Sequence, residues 1–206
     1  MIKLALPGMI MIEAQFSVLE ILTIAAGRLG TAQLAAQSVL VTVTSMSFNI
    51  PFPLAIATST RVANLIGAGL SDAAMVTTRV VCSPSFPEYF PLLTFQAIFA
   101  ALGVGLFNLT IFTTLRTALP RVFTDDLEVI DIVSHVILVC AIMQIFDALA
   151  AVSHGILRGI GRQAIGGYAN LFSYYAVALP VSLSLAFGAG WKLSGLWAGL
   201  VAGLAT

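Results

Sequence analysis

Three carboxylates set inside apolar stretches are the residues of this sequence whose chemistry stands out. Glu13 and Glu20 lie in a first apolar run from Leu4 to Ala26, and Asp147 lies late in a run from about Val129 to Ala151. The two glutamates are seven positions apart, about two helical turns, so on a helix they share one face, with Gln15 off it. Cys140, Gln144 and Asp147 follow i, i+4, i+7 spacing and form one stripe, which His154 extends toward the end of the run. Ionisable groups at membrane depth are costly and face a partner, a cavity or a pathway. A carboxylate held there needs a neutralising partner. The opposing reading is packing, in which each acid is hydrogen-bonded between helices. Glu13 is nearer the membrane edge than Glu20, and His154, beside Ser153 and Gly155, reads as an interfacial residue.

The elements that must hold these residues follow from composition. The chain has 206 residues, 59% of them hydrophobic and only 9% charged, with a mean hydropathy of +1.03. A soluble domain carries about 25% charged residues. Nine basic and nine acidic residues cannot solvate the surface of a water-soluble protein of this size. That excludes a cytosolic enzyme, a disordered chain and, with no basic footprint, a nucleic-acid binder. The bilayer is the solvent. Spans of about 20 apolar residues are expected at Leu4–Ala26, Leu34–Ala57, Leu92–Leu115, Val129–Ala151 and Tyr168–Phe187. A sixth begins near Leu193 and is cut by the end of the sequence at Thr206, as in a fragment. The expected fold is therefore an all-α polytopic membrane helix bundle of about six transmembrane helices.

The connections carry their own signals. Gly27-Arg28-Leu29-Gly30 reads as the turn after the first span. Asn49-Ile50-Pro51-Phe52-Pro53 sits inside the second span, where Pro51 would kink the helix and could serve as a hinge. Arg61 to Gly69 reads as a separate short amphipathic helix. The proline-punctuated stretch ending at Pro91 reads as an inserted loop over 80–91. Lys3, Arg61, Arg79, Arg158 and Arg162 would fall on one side of the membrane, and Arg28, Arg116, Arg121 and Lys192 on the other. That difference of one residue leans toward a cytosolic first side.

No enzyme constellation is present. There is no His-Glu-x-x-His for zinc and no Gly-x-Ser-x-Gly elbow, and two histidines and two cysteines are too few for a rich metal site. Cys82 and Cys140 set no disulfide framework. Asn108-Leu109-Thr110 matches a glycosylation acceptor but lies inside a span, and Gly103 and Gly105 allow close helix approach. In the fifth span Tyr168, Asn170, Ser173, Tyr174, Tyr175 and Pro180 fit interhelical hydrogen bonds as well as a pore lining.

Four ordered strings resemble the eukaryotic branch of the multidrug and toxin extrusion (MATE) family. Leu4-Ala5-Leu6-Pro7, Leu19-Glu20-Ile21-Leu22 and Ala26-Gly27-Arg28-Leu29-Gly30 are similar to its seventh helix. Leu34-Ala35-Ala36-Gln37-Ser38 through Ile50-Pro51 to Arg61-Val62-Ala63-Asn64-Leu65-Ile66-Gly67-Ala68-Gly69 is similar to its eighth, with Ala63 in place of the usual glycine. Phe146-Asp147-Ala148-Leu149 with Gly155-Ile156-Leu157-Arg158-Gly159-Ile160-Gly161-Arg162-Gln163 is similar to the tenth and the loop after it, and Tyr174 to Pro180 to the eleventh.

The resemblance implies a secondary active antiporter of the multidrug and xenobiotic export type, exchanging organic cations for protons or sodium. Residues 1–206 would be its C-terminal lobe, with the N-terminal lobe missing, a lipid bilayer as surroundings and no cofactor. Either the plasma or the vacuolar membrane fits. Glu20 and Asp147 fall at the family's acidic positions, whereas the first acid of its seventh helix falls on Gln15, which Glu13 could replace. Phe16, Tyr174 and Tyr175 could hold a cation by their ring faces, with Gln144 beside them. The rival reading is a truncated, non-transporting membrane fragment that only packs with another membrane chain.

Overall fold

The computed structural model describes residues 2–67 and 89–206. Among them are helices α1 (Ile2–Leu29), α2 (Thr31–Phe48), α3 (Pro51–Gly67), α4 (Tyr89–Thr114), α5 (Ala118–Arg121), α6 (Leu127–Gly159) and α7 (Gln163–Leu171). A π-helical segment (Phe172–Ala178), α8 (Leu179–Leu183), a second π-helical segment (Ser184–Gly188) and α9 (Lys192–Leu204) complete the described residues, which contain no strand.

Among the described residues four segments are long and apolar enough to cross a membrane: Thr31–Gly67, Thr94–Thr114, Leu127–Gly159 and Gln163–Gly188. Helix α1 reaches 28 residues, and the apolar α9 has 13. The expected spans thus appear as helical passes, with three differences. The Gly27–Gly30 turn shrinks to Gly30, whose φ of 133° is open only to glycine, and α1 runs on to Leu29. The second span is two helices, because Asn49 and Ile50 interrupt it and Pro51 starts α3. Proline suits a helix start, where its missing N–H would have no partner anyway. The Asn49 side-chain amide donates to the Ser45 and Met46 carbonyls at 3.1 and 3.3 Å, which satisfies the broken ladder. Finally, Arg61–Gly67 is no separate helix but the continuation of α3. The loop expected over 80–91 lies outside the described residues except at its end, where Tyr89 opens α4.

Helix α6 is the centre of the bundle, and α2, α3, α4 and α9 pack around it. It starts where the Asp126 carboxylate accepts the Glu128 N–H at 2.9 Å, an N-cap in the acidic loop. Its buried face carries Val129, Val133, Val136, Ile137, Cys140 and Ala141. The main core joins these to Val18 and Leu22 of α1, Leu40 of α2 and Leu196, Trp197 and Leu200 of α9. In lipid the hydrophobic effect between helices falls away, so close packing and hydrogen bonds hold the bundle. Trp197 Nε1 donates to Gln37 Oε1 at 2.8 Å, and Gln37 Nε2 donates to Thr23 Oγ1 at 3.3 Å, tying α9, α2 and α1 together.

Among the described residues small residues bring backbones into contact at three seams, one of them where Gly105 of α4 meets the Ile145 backbone of α6. Gly155 and Gly159 of α6 meet Ala55, Ser59 and Val62 of α3. Gly195, Gly199 and Gly203 of α9, one turn apart, meet Ala186, Ser182 and Ala178. A side chain at Gly199 would run into the Ser182 backbone, whereas Gly103 faces open space. Gly199→Leu is therefore expected to destabilise the bundle by about 1–3 kcal/mol, and Gly103→Leu to change little. Detergent-induced loss of helical circular dichroism measures both; equal midpoints for the two variants would remove the seam from the account of stability.

Candidate functional site

The described residues contain a cavity of about 360 Å³ between α1, α2, α3 and α6. Helix α1 gives it Gln15, Phe16 and Leu19, and the end of α2 gives Thr44, Ser45, Phe48 and Asn49. Helix α3 gives Phe52 and Ala55, while α6 gives Met143, Asp147, Ala151, His154 and Arg158. The break between α2 and α3 thus falls in the wall. It places Phe48 and Phe52 four residues apart with ring centroids 5.7 Å from each other. On α6 the residues from Asp147 to Arg158 recur every three or four positions, so a single helical stripe faces the cavity.

Asp147 is 5% exposed and lies deep on that stripe. Gln15 Nε2 donates to Asp147 Oδ1 at 3.4 Å, a long bond that crosses from α1 to α6. Gln15 is the hydrogen-bond partner of this carboxylate among the described residues. One turn from the end of α6, His154 Nε2 meets Asn170 Oδ1 of α7 at 3.0 Å. An amide oxygen only accepts, so Nε2 carries the proton. His154, expected at the interface, is therefore a half-buried member of the cavity wall.

The other expected residues separate into three groups. Phe16 lines the cavity and is 50% exposed on its outer side. Glu13 and Glu20 do share a face of α1, together with Met9, Phe16 and Ile24, but that face is open and neither carboxylate lines the cavity. Gln144 is buried outside the cavity, where Asn108 Nδ2 donates to its Oε1 at 3.1 Å, so both serve helix packing between α4 and α6. Tyr174 is enclosed in the main core, and Tyr175 is exposed; neither lines the cavity. Pro51 is buried beside it, at the start of α3. Cys140 is a free buried thiol, and Cys82 lies outside the described residues.

Sequence reasoning passed over Phe48, Phe52, Thr44, Ser45 and Arg158 as wall residues. The signal for Arg158 was available, since the i, i+4, i+7 stripe continues to it at i+11 from Asp147. Among the described residues no group of three or more His, Cys, Asp or Glu side chains could hold a metal ion.

This geometry can be set against known proteins. The family model described as MatE matches residues 7–84 and 87–183. An uncharacterized transporter of Schizosaccharomyces pombe is 39% identical over 98% of this chain, which covers 34% of that protein. Multidrug and toxin extrusion protein 2 of Mus musculus is 35% identical over 97% of this chain, which covers 32% of it. The chain thus spans about a third of the length of these curated relatives. The crystal structure of the eukaryotic MATE transporter AtDTX14 superposes with a TM-score of 0.85 at 30% identity, covering 98% of this chain and 42% of that one. An outward-facing multidrug resistance MATE transporter, 19% identical with a TM-score of 0.77, shares the fold. The apolar passes are those of a membrane protein, and the chain belongs to the MATE family of transporters, corresponding to one half of their fold.

Proposed function

We propose that this chain is the C-terminal lobe of a secondary active antiporter that exports organic cations in exchange for protons or sodium. The observation that carries the reading is a buried carboxylate, Asp147, in the wall of a cavity that also presents the rings of Phe16, Phe48 and Phe52. A charge taken out of water costs several kcal/mol unless it is paired. Among the described residues Asp147 has one weak neutral hydrogen bond to offset that cost. An incoming ion or an organic cation can supply the missing charge, and only one of them fits at a time. Aromatic faces add roughly 0.5–2 kcal/mol for the organic cation. Glu20, exposed on the open face of α1 one turn from Phe16, is then the second exchange group. Glu13 lies two turns further along the same face.

The test is binding of a fluorescent quaternary ammonium dye to the chain in lipid nanodiscs. Acidification is expected to weaken binding if the coupling ion is the proton. Added sodium at constant pH is expected to weaken it if the ion is sodium. An affinity indifferent to both would reject the exchange mechanism.

A further inference from the structure

We infer that the Arg158 end of the cavity is an anion subsite, so that the cavity takes a dipolar organic molecule with its cationic group at Asp147 and a carboxylate or sulfonate at Arg158. This rests on the proposed cation site at Asp147 and adds a second pole to it. The wall contains one carboxylate, Asp147, and one permanently charged base, Arg158. Both stand on the same stripe of α6. They are eleven residues apart, about 16 Å along the axis at about 1.5 Å per residue. Both residues line the same cavity, with Ala151 and His154 between them on the stripe, so a ligand that met both would have to span on the order of 10 Å or more.

Arg158 has the features of a waiting partner. Its Nε is buried and has no hydrogen-bond partner among the described residues. Among them the recorded ion pair is His135 with Asp131, on the exposed start of α6, so no carboxylate neutralises Arg158 there. The neighbouring wall residues offer none: Ala151 is apolar, and the His154 ring is held by Asn170 through its protonated Nε2. The end of a helix favours a cation by a fraction of a kcal/mol to about 1 kcal/mol, but it leaves the buried Nε–H of Arg158 without a partner among the described residues. A guanidinium is built to hold a carboxylate or phosphate by two parallel N–H bonds. A lipid phosphate offers the same chemistry from another source.

The experiment compares two forms of one xanthylium dye, the cationic methyl ester and the zwitterionic free acid, bound to the chain in phosphatidylcholine nanodiscs. The parental chain is expected to bind the acid roughly tenfold more tightly than the ester. Arg158→Gln is expected to bring that ratio to about one, and Arg158→Lys, which keeps the charge without the fork, to retain part of it. Asp147→Asn should weaken both dyes and leave the ratio in place. Equal binding of acid and ester by the parental chain, or a ratio that survives Arg158→Gln, overturns the subsite. A preference abolished by adding phosphatidylglycerol to the discs assigns Arg158 to lipid headgroups and overturns it as well. If the ratio depends on Arg158 while Asp147→Asn changes neither affinity, the anion subsite stands and the cation site at Asp147 falls.

Discussion

Asp147→Asn is expected to lower the affinity of the chain for a permanent organic cation at least tenfold and to abolish its dependence on pH or sodium. The substitution keeps the shape of the side chain and an oxygen that accepts from Gln15 Nε2, but removes the charge. Two unit charges about 4 Å apart at an effective dielectric of about 20 attract by ~4 kcal/mol, which sets a ceiling near a thousandfold. Part of that is lost to desolvation of the cation, so one to two decades is the expected range. Folding should not suffer, because a neutral amide is less costly in a membrane interior than an ionised carboxylate. Glu20→Gln should matter less for binding to this chain, since Glu20 lies outside the cavity wall on the open face of α1. Isothermal titration in nanodiscs measures both variants. Parental affinity in Asp147→Asn would remove this residue from the binding site.

The second large effect concerns stability. Trp197→Ala is expected to destabilise the bundle by about 2–4 kcal/mol, shifted down from the roughly 3–5 kcal/mol typical of water-soluble cores. The reduction has a physical source. In a bilayer, lipid chains solvate an exposed indole about as well as the core does, so the transfer contribution largely vanishes. The void and the lost hydrogen bond remain. Trp197 is fully buried, and its indole N–H is the partner of Gln37 Oε1, which is itself fully buried in α2. Trp197→Phe keeps most of the volume and isolates the hydrogen bond, with an expected cost of about 0.6–1.7 kcal/mol. Mixed-micelle denaturation followed by circular dichroism gives both values. An equal loss for Phe and Ala would place the whole effect in the hydrogen bond and none in the packing.

The passes were legible because twenty-residue apolar runs need no tertiary information to be recognised. What lay beyond the runs was not. The stripe spacing already joined His154 to Asp147, but hydropathy ends the fourth run at Ala151, and only the extension of α6 to Gly159 adds Arg158 to the cavity wall. Gln15 and Glu20 exchange places for a similar reason. Both are polar residues on α1, and only its packing decides that Gln15 turns toward α6 while Glu20 stays on the open face. Tyr174 and Tyr175 lie in a π-helical segment, where the 3.6-residue period that assigns faces does not hold. Close helix approach was expected at Gly103 and Gly105; the structure gives it at Gly105 and not at Gly103, and adds the Gly195-x-x-x-Gly199-x-x-x-Gly203 seam that the sequence analysis passed over.

The placement of Asp147 and Arg158 on one uninterrupted helix makes α6 a ruler. No loop between the two residues can absorb an insertion or a deletion. Adding a single residue between Asp147 and His154 would turn every later side chain by about 100° relative to Asp147, swinging Arg158 off the cavity and breaking the contact of His154 with Asn170. Only a whole added turn restores the phase, and it lengthens the gap by about 5 Å. The segment 148–157 is therefore free to drift in residue type at its outward positions but not in length, and its residue count carries the spacing of the two charges.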